Sequence, residues 1–298
     1  MSIRETLKSQ GYYKANQVLT AVELQILRAR ADNILAGLDD AHRARFKSNG
    51  SLCNLAEQPD FADLISHPKL IELVSSASED PDPRWTGGYL ISKPPGGAPL
   101  FWHQDWWGWD EEISYDTEPP QVFIMIYLVD TTINNGCLRV VPHSHMTPHA
   151  LHQSIAAHSE ALARVENPDD ALFQSHPDEQ AIQVKAGDVL LGDARLIHGA
   201  FANQSGKERP LLTLWYTPSF KRLPDSIKAS YQAMLRRDTE NDVDRGNTIG
   251  SRYHTVSDWP AVNQEMVWPY LPDFQGNTKP LTWNRNPDLE KLSCAEEA

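Results

Sequence analysis

The chain has 298 residues, 40% of them hydrophobic and 22% charged, which suffices for one large globular domain with a buried core and is ordinary for a soluble protein. A formal net charge of -13 makes it acidic, so phosphate backbones are repelled and nucleic acid is excluded as an expected partner. No stretch approaches the ~18 consecutive apolar residues of a membrane span and the N-terminus has no apolar signal core, so no membrane partner and a cytoplasmic location are expected.

Residues 1–83 read as a mostly helical lead-in. Thr20 and Glu23 form a capping-box signature. Leu24, Leu27, Ala31, Ile34, Leu35 and Leu38 follow at helical spacing, and Gly37 with Asp39-Asp40 marks the end. A second helix is predicted over Phe61 to Ala77, broken at Pro68. From residue 84 to 220 the texture becomes short strands: Arg84 to Ser92, Phe101 to Asp105, Gln121 to Asp130, Cys137 to Val141, Ala181 to Val184, Val189 to Leu191 and Pro210 to Thr217. Asn134-Asn135-Gly136 is a tight-turn signal, so the strands on either side of it are predicted to pair as a hairpin. Many short strands with few helices among them predict a β-sandwich or barrel. Residues 149–178 read as an inserted helix-and-loop segment. Residues 221–298 read as a helical and irregular extension, with a helix from Ser226 to Leu235, that packs on the core as a lid or subunit contact. A single domain is expected, as monomer or homodimer. Cys53, Cys137 and Cys294 are widely spaced without a CxxC, which argues for a reducing compartment.

The chemistry centres on Phe101-Trp-His103-Gln-Asp105-Trp-Trp107. On a strand, residues two apart share a face, so His103 and Asp105 are predicted to point inward together while Trp102, Gln104 and Trp106 point away. His198 lies far downstream, with Arg209 eleven residues beyond it. Two imidazoles and one carboxylate make the facial triad that binds non-haem Fe(II) and leaves open positions, and an arginine offers a bidentate fork for a carboxylate co-substrate. The same three ligands also suit a jelly-roll metal hydrolase or isomerase, or a non-catalytic binding module. Arg209 favours the oxygenase, since neither alternative needs a carboxylate clamp there. No nucleophile elbow, dinucleotide fingerprint or P-loop is present.

His103-Gln-Asp105, Asn135-Gly-Cys-Leu138, Gly187-Asp188-Val189, His198 with Asn203 five residues on, and Arg209 together resemble the phytanoyl-CoA dioxygenase family of 2-oxoglutarate oxygenases, over roughly residues 85–217. The resemblance implies a double-stranded β-helix (jelly-roll) core. It implies Fe(II) held by His103, Asp105 and His198, and the distal carboxylate of 2-oxoglutarate held by Arg209. It also implies use of O2 to oxidise an unactivated C–H of a small molecule, hydroxylation by default, with release of succinate and CO2. Two departures stand out. Many relatives carry Pro-Gly-Ser-His where this chain has Pro142-His-Ser-His145, and a serine or threonine where it has Ala200.

Further candidates surround that set. Trp107 and Trp109 follow the metal strand and are expected at the rim of a pocket for a flat or hydrophobic substrate. Tyr127 and Phe201 are candidate pocket walls, and Gln121 a candidate contact for the bound oxo-acid. Lys93, just before the Pro94-Pro95 turn, is a candidate to aid anion binding, with a solvated side chain the commoner expectation. His143, His145, His149 and His152 are expected to form part of the pocket lid or to be solvated, with a second metal site as the alternative. Lys221, Arg222, Lys228, Arg236 and Arg237 form a modest basic segment expected to be a solvated helix face. With the acidic net charge, this argues against acyl-CoA as the substrate.

Overall fold

Among the residues described by the computed structural model (1–154, 158–235, 256–272, 274–276 and 278–294), ten strands build two antiparallel sheets. They are β1 Tyr12–Ala15, β2 Cys53–Asn54, β3 Arg84–Lys93, β4 Leu100–His103, β5 Val122–Tyr127, β6 Leu138–Val140, β7 Gln180–Ile182, β8 Val189–Asp193, β9 His198–Ala200 and β10 Arg209–Thr217. The larger sheet runs β1-β8-β5-β10-β3-β2 and the smaller β4-β9-β6-β7. The two face each other as the jelly roll that the sequence implied.

β5 shows why its sequence lacks alternation. Val122, Ile124 and Ile126 pack outward on the N-terminal helices, with Leu24, Leu27, Leu64 and Leu70. Phe123, Met125 and Tyr127 pack inward against Leu138 and Val140 of the smaller sheet. Both faces of the strand are covered, so both carry apolar residues. The helical layer forms where its end signals stand. Thr20 and Glu23 cap the helix Ala21–Ala36 reciprocally: the Thr20 hydroxyl accepts from the Glu23 N–H and the Glu23 carboxylate from the Thr20 N–H. Pro68 starts its own helix, Pro68–Ser75, after a separate turn Ala62–Ile65, because a first-turn proline sacrifices no helical hydrogen bond.

The predicted hairpin across Asn134-Asn135-Gly136 does not form. β5 is already flanked by β8 and β10, so neither of its edges is open. Asn135 Oδ1 instead accepts from Thr132 N–H in a turn that carries the chain over to the smaller sheet, where β6 pairs with β7 and β9. The Pro-His-Ser-His departure also has a backbone consequence. His143 takes φ 68°, the left-handed region that glycine occupies at little cost. Its ring nitrogen Nδ1 lies 2.6 Å from the Ser9 carbonyl, a contact glycine lacks.

The segment between β6 and β7 covers Trp102, whose indole N–H donates to Gln174 O at 2.9 Å. The C-terminal residues return to the core in two places. Beside the helix Ala261–Val267, which lies against Ala62–Ile65, the Trp259 indole donates to Ala56 O. Further on, Asn284 N–H donates to Trp107 O and Arg285 reaches the metal motif.

Candidate metal centre and co-substrate pocket

β4 and β9 are antiparallel neighbours with His103 and His198 directly paired, so their rings stand 4.2 Å apart centre to centre. His103 Nδ1 lies 2.9 Å from Phe101 O and His198 Nδ1 lies 3.0 Å from Leu196 O. A carbonyl accepts only, so each Nδ1 carries the proton and each Nε2 presents a lone pair. Those Nε2 atoms converge on Asp105, at 3.6 Å from Oδ1 for His103 and 3.7 Å from Oδ2 for His198. Burial, reinforced by His198, lowers the His103 pKa to about 3, so the ring is neutral near pH 7. Two lone pairs and a carboxylate facing each other in a dry site repel unless a cation lies between them, which is the test a divalent metal passes here.

Asp105 reaches this point by a route the strand rule did not anticipate. β4 ends at His103, and Asp105 and Trp106 both donate their N–H groups to Ala194 O at 2.9 Å. Ala194 sits between Asp193 and Arg195, a fully buried ion pair at 2.6 Å. Arg195 also donates to Ser114 O and Asp116 O, and Gln104 donates to Arg195 O. The carboxylate itself is oriented by Trp215 of β10, whose indole N–H donates to Asp105 Oδ2 at 2.8 Å. Arg285 donates to the carbonyls of Gln104 and Asp105 at 3.0 and 2.8 Å. Apart from the Asp193–Arg195 pair, these supports carry no local sequence signal, because each joins residues far apart in the chain.

A cavity of about 320 Å³ opens from this cluster between the sheets. Alternate residues of β10 line it, from Arg209 through Leu211 and Thr213 to Trp215. Arg209 is buried, with Nε and Nη1 lacking any hydrogen-bond partner. Its guanidinium carbon lies 5.4 Å from the Tyr127 ring centre. Lys93 pairs with it in register and is also buried, contrary to the solvated side chain expected. The Lys93 ammonium donates to Ser48 O and Ala98 O, and burial, then Arg209 and Arg139, push its pKa well down. Arg139 is paired with Glu179 at 3.3 Å, but Arg209 has no carboxylate partner among the described residues. This end of the cavity is therefore a dry, electropositive socket.

Of the other candidates, Gln121, Trp107 and Tyr127 line the cavity. The Gln121 amide donates to Thr86 Oγ1 at 3.3 Å. Trp107 is sandwiched between Trp106 and Trp283, at 5.5 and 5.4 Å. Trp109 and Phe201 are not brought to it. Trp109 follows the motif into a turn and packs behind it on Tyr115, and Phe201 lies beside Arg139. Ala200 does line the cavity, so no hydroxyl is offered at that position. The four clustered histidines disperse. His143 and His145 contact the carbonyls of Ser9 and Lys8, and His152 accepts from His149 N–H. His149 joins His176 and Asp178 instead. Both rings accept a backbone N–H on Nδ1, which leaves their Nε2–H groups as donors, so hydrogen bonds explain this trio. In the basic segment, Lys221 pairs with Asp80, Arg222 with Asp116 and Glu118, and Lys228 with Asp225. Arg236 and Arg237 lie outside the described residues.

Known proteins match this chain in sequence and in fold. The phytanoyl-CoA dioxygenase (PhyH) family model matches residues 7–211. A probable alpha-ketoglutarate-dependent hypophosphite dioxygenase of Stutzerimonas stutzeri is 32% identical over 222 residues, 70% of this chain and 74% of that one. Among solved structures, HygX of Streptomyces hygroscopicus with nickel and 2-oxoglutarate bound aligns with a TM-score of 0.56 at 21% identity, covering 72% of this chain and 86% of that one. The alpha ketoglutarate dependent epimerase SnoN from nogalamycin biosynthesis aligns at 0.55 and 20%, covering 72% and 81%. These last two likenesses speak for the fold. Fold and sequence match define a dioxygenase that uses 2-oxoglutarate. More narrowly, the chain belongs to the phytanoyl-CoA dioxygenase family.

Proposed function

We propose that His103, Asp105 and His198 hold the Fe(II), that Arg209 binds the distal carboxylate of 2-oxoglutarate, and that the enzyme hydroxylates an unactivated C–H of a small, largely apolar organic molecule. The observation that carries this is Arg209. A buried guanidinium with two unpartnered nitrogens, in the same cavity as the convergent cluster, is stable only with an anion to face. 2-Oxoglutarate supplies such a carboxylate at one end and a chelating keto acid at the other. Bound iron supplies the oxidising chemistry with O2, and the protein supplies orientation and a shielded site.

The chain's own groups divide the work. Trp215 and the Ala194 carbonyl fix Asp105, and the Phe101 and Leu196 carbonyls keep both imidazoles in the ligating tautomer. Gln121, beside this cluster, is the candidate amide contact to the oxo-acid. On the substrate side Trp107, Trp283, Tyr231, Met234 and Tyr89 line the cavity. Their flat apolar faces suit an organic ring or chain and exclude water from the reacting carbon. Trp109 and Phe201 are given no part in this wall. Residues 1–298 are read as one oxygenase unit, with the C-terminal segment closing the cavity through Trp283 and Arg285.

Anaerobic titration of apoprotein with Fe(II) and 2-oxoglutarate tests the assignment. The weak visible charge-transfer band of the chelate should appear with wild type and vanish with His198→Ala. Iron binding without a band would reject the co-substrate assignment and favour a hydrolase or binding module. The name of the Stutzerimonas relative suggests hypophosphite as a competing substrate, which needs no aromatic wall. Its turnover in preference to aromatic compounds would reject the apolar reading.

A further inference from the structure

A third imidazole borders the metal cluster. His158 lies in the segment between β6 and β7, outside every motif of the family resemblance. One of its ring nitrogens, a His103 nitrogen and an Asp105 oxygen all lie within 4.8 Å of one another. Its ring stands edge-on to His103 at 4.8 Å and 86°, and edge-on to Phe101 at 5.3 Å and 79°. The ring hydrogen-bonds the Gln104 main chain, whereas its Nε2 is shut off from solvent and has no partner. It lines the same cavity as the three candidate ligands. Orphaned polar atoms in dry sites are rare and call for an explanation. A second structural hydrogen bond is not that explanation here, since none is made.

Metal distance arithmetic supplies one. Two donors on one ion at ~2.1 Å each stand at most ~4.2 Å apart. The His158 nitrogen is therefore within about half an ångström of sharing an ion with His103 and Asp105, a shift that a side-chain torsion provides. A facial triad leaves positions for exogenous donors. A neutral imidazole beside those positions competes for one of them.

We propose that His158 is a fourth, displaceable protein donor, which occupies one of the positions left open on the iron until 2-oxoglutarate takes it. This rests on the assignment of His103, Asp105 and His198 as the standing ligands. The chelating keto acid would form two metal–oxygen bonds in place of the His158 nitrogen and one solvent ligand, and the exchange transfers no electron.

The test is a count of metal-bound imidazoles by pulsed EPR on the full chain loaded with Cu(II), with and without 2-oxoglutarate. Wild type should show three coupled imidazoles alone and two with 2-oxoglutarate, and His158→Gln two in both states. In the Fe(II) protein, His158→Gln should also bind 2-oxoglutarate several-fold more tightly, because a competitor has gone. Two imidazoles in wild type, unchanged by 2-oxoglutarate or by the substitution, would overturn the proposal and leave the triad intact. A His198→Ala protein that keeps the wild-type count would instead overturn the triad on which the proposal rests. The wild-type comparison needs no variant, so a His158→Gln protein that fails to fold does not stop the test.

Discussion

Replacing Arg209 by methionine should make the apoprotein more stable and the enzyme unable to hold its co-substrate. Arg209 is 2% exposed, two of its nitrogens have no partner, and Lys93 faces it across the β3–β10 ladder. Leaving a buried polar group unsatisfied costs ~1–3 kcal/mol, and more when it is charged. A methionine of similar length removes that cost and one cation from the pair. Apoprotein stability should therefore rise by roughly 1–3 kcal/mol, a few degrees in Tm for a chain of this size. Losing one partner of a buried charge pair costs about 2–5 kcal/mol of binding. The 2-oxoglutarate Kd should then rise from roughly 30-fold to several-thousand-fold. Fe(II) affinity should change little, since Arg209 contacts none of the candidate ligands. Thermal melts of the metal-free protein and calorimetric titration of the Fe(II) protein read the two effects separately. An apoprotein destabilised by Arg209→Met, or an unchanged Kd, would refute the view of Arg209 as a cation stored for a ligand.

Other consequences follow from the supports of the cluster. Trp215→Phe removes the indole N–H from Asp105 and should weaken Fe(II) binding roughly 10- to 100-fold with little loss of fold, measured by competition with a chelating dye. Gly192→Ala places a methyl carbon 2.0 Å from Phe123 Cζ, and Phe123 backs the His198 ring at 5.0 Å. It should cost about 1–3 kcal/mol in urea unfolding and lower metal affinity as well, whereas an unperturbed metal titration would show that Phe123 does not hold His198. Burial lowers His145 to about 4, between Asp193, Arg195 and the Lys8 carbonyl. Unfolded histidine titrates near 6.5, so this contribution is complete above that pH and is lost as pH falls toward 4, by roughly 3 kcal/mol in all. His145→Gln should remove about 1 kcal/mol per pH unit from the slope of stability near pH 5, and a slope equal to wild type would contradict the burial of that ring.

What was legible in the sequence was whatever is carried by neighbours in the chain. The helix caps at Thr20 and Glu23 and the both-faced apolar run of β5 are local, and the fold follows their signals closely; the His-x-Asp motif is local too, but β4 ends at His103 and Asp105 is placed through Ala194 instead of by strand alternation. The failures were equally systematic. The Asn134-Asn135-Gly136 turn was read as a hairpin because a turn reports only that the chain bends. Which sheet receives the next strand depends on β8 and β10 already flanking β5, residues about 60 and 80 positions downstream. Lys93 was expected in solvent because lysine usually is. Its burial depends on Ser48 and Ala98 offering carbonyls from separate loops. Trp107 and Trp109 lie in one short stretch, yet one lines the cavity and the other packs behind it. β4 ends at His103, so neither lies on a strand whose alternation would have predicted its direction.

The two sheets contribute differently to the site. His103 and His198 belong to the smaller sheet and are fixed by one ladder pairing, so the imidazole pair is a local product of β4 and β9. Arg209, Gln121 and Tyr127 belong to the larger sheet or its entry. Asp105 is the joint between them: Ala194 at the exit of β8 holds its backbone, and Trp215 of β10 holds its carboxylate. Substitutions that loosen the packing between the sheets, such as Met125→Ala, shift Arg209 relative to the histidines without separating the histidines from each other. They should therefore raise the 2-oxoglutarate Kd before they affect the metal. Core truncations of this kind cost about 2–5 kcal/mol, so the comparison is best made well below Tm, by titrating Fe(II) and 2-oxoglutarate on the same sample. Equal losses in both affinities would mean that the cluster itself is assembled across the sheets, and that the β4–β9 pairing alone does not hold the histidines in place.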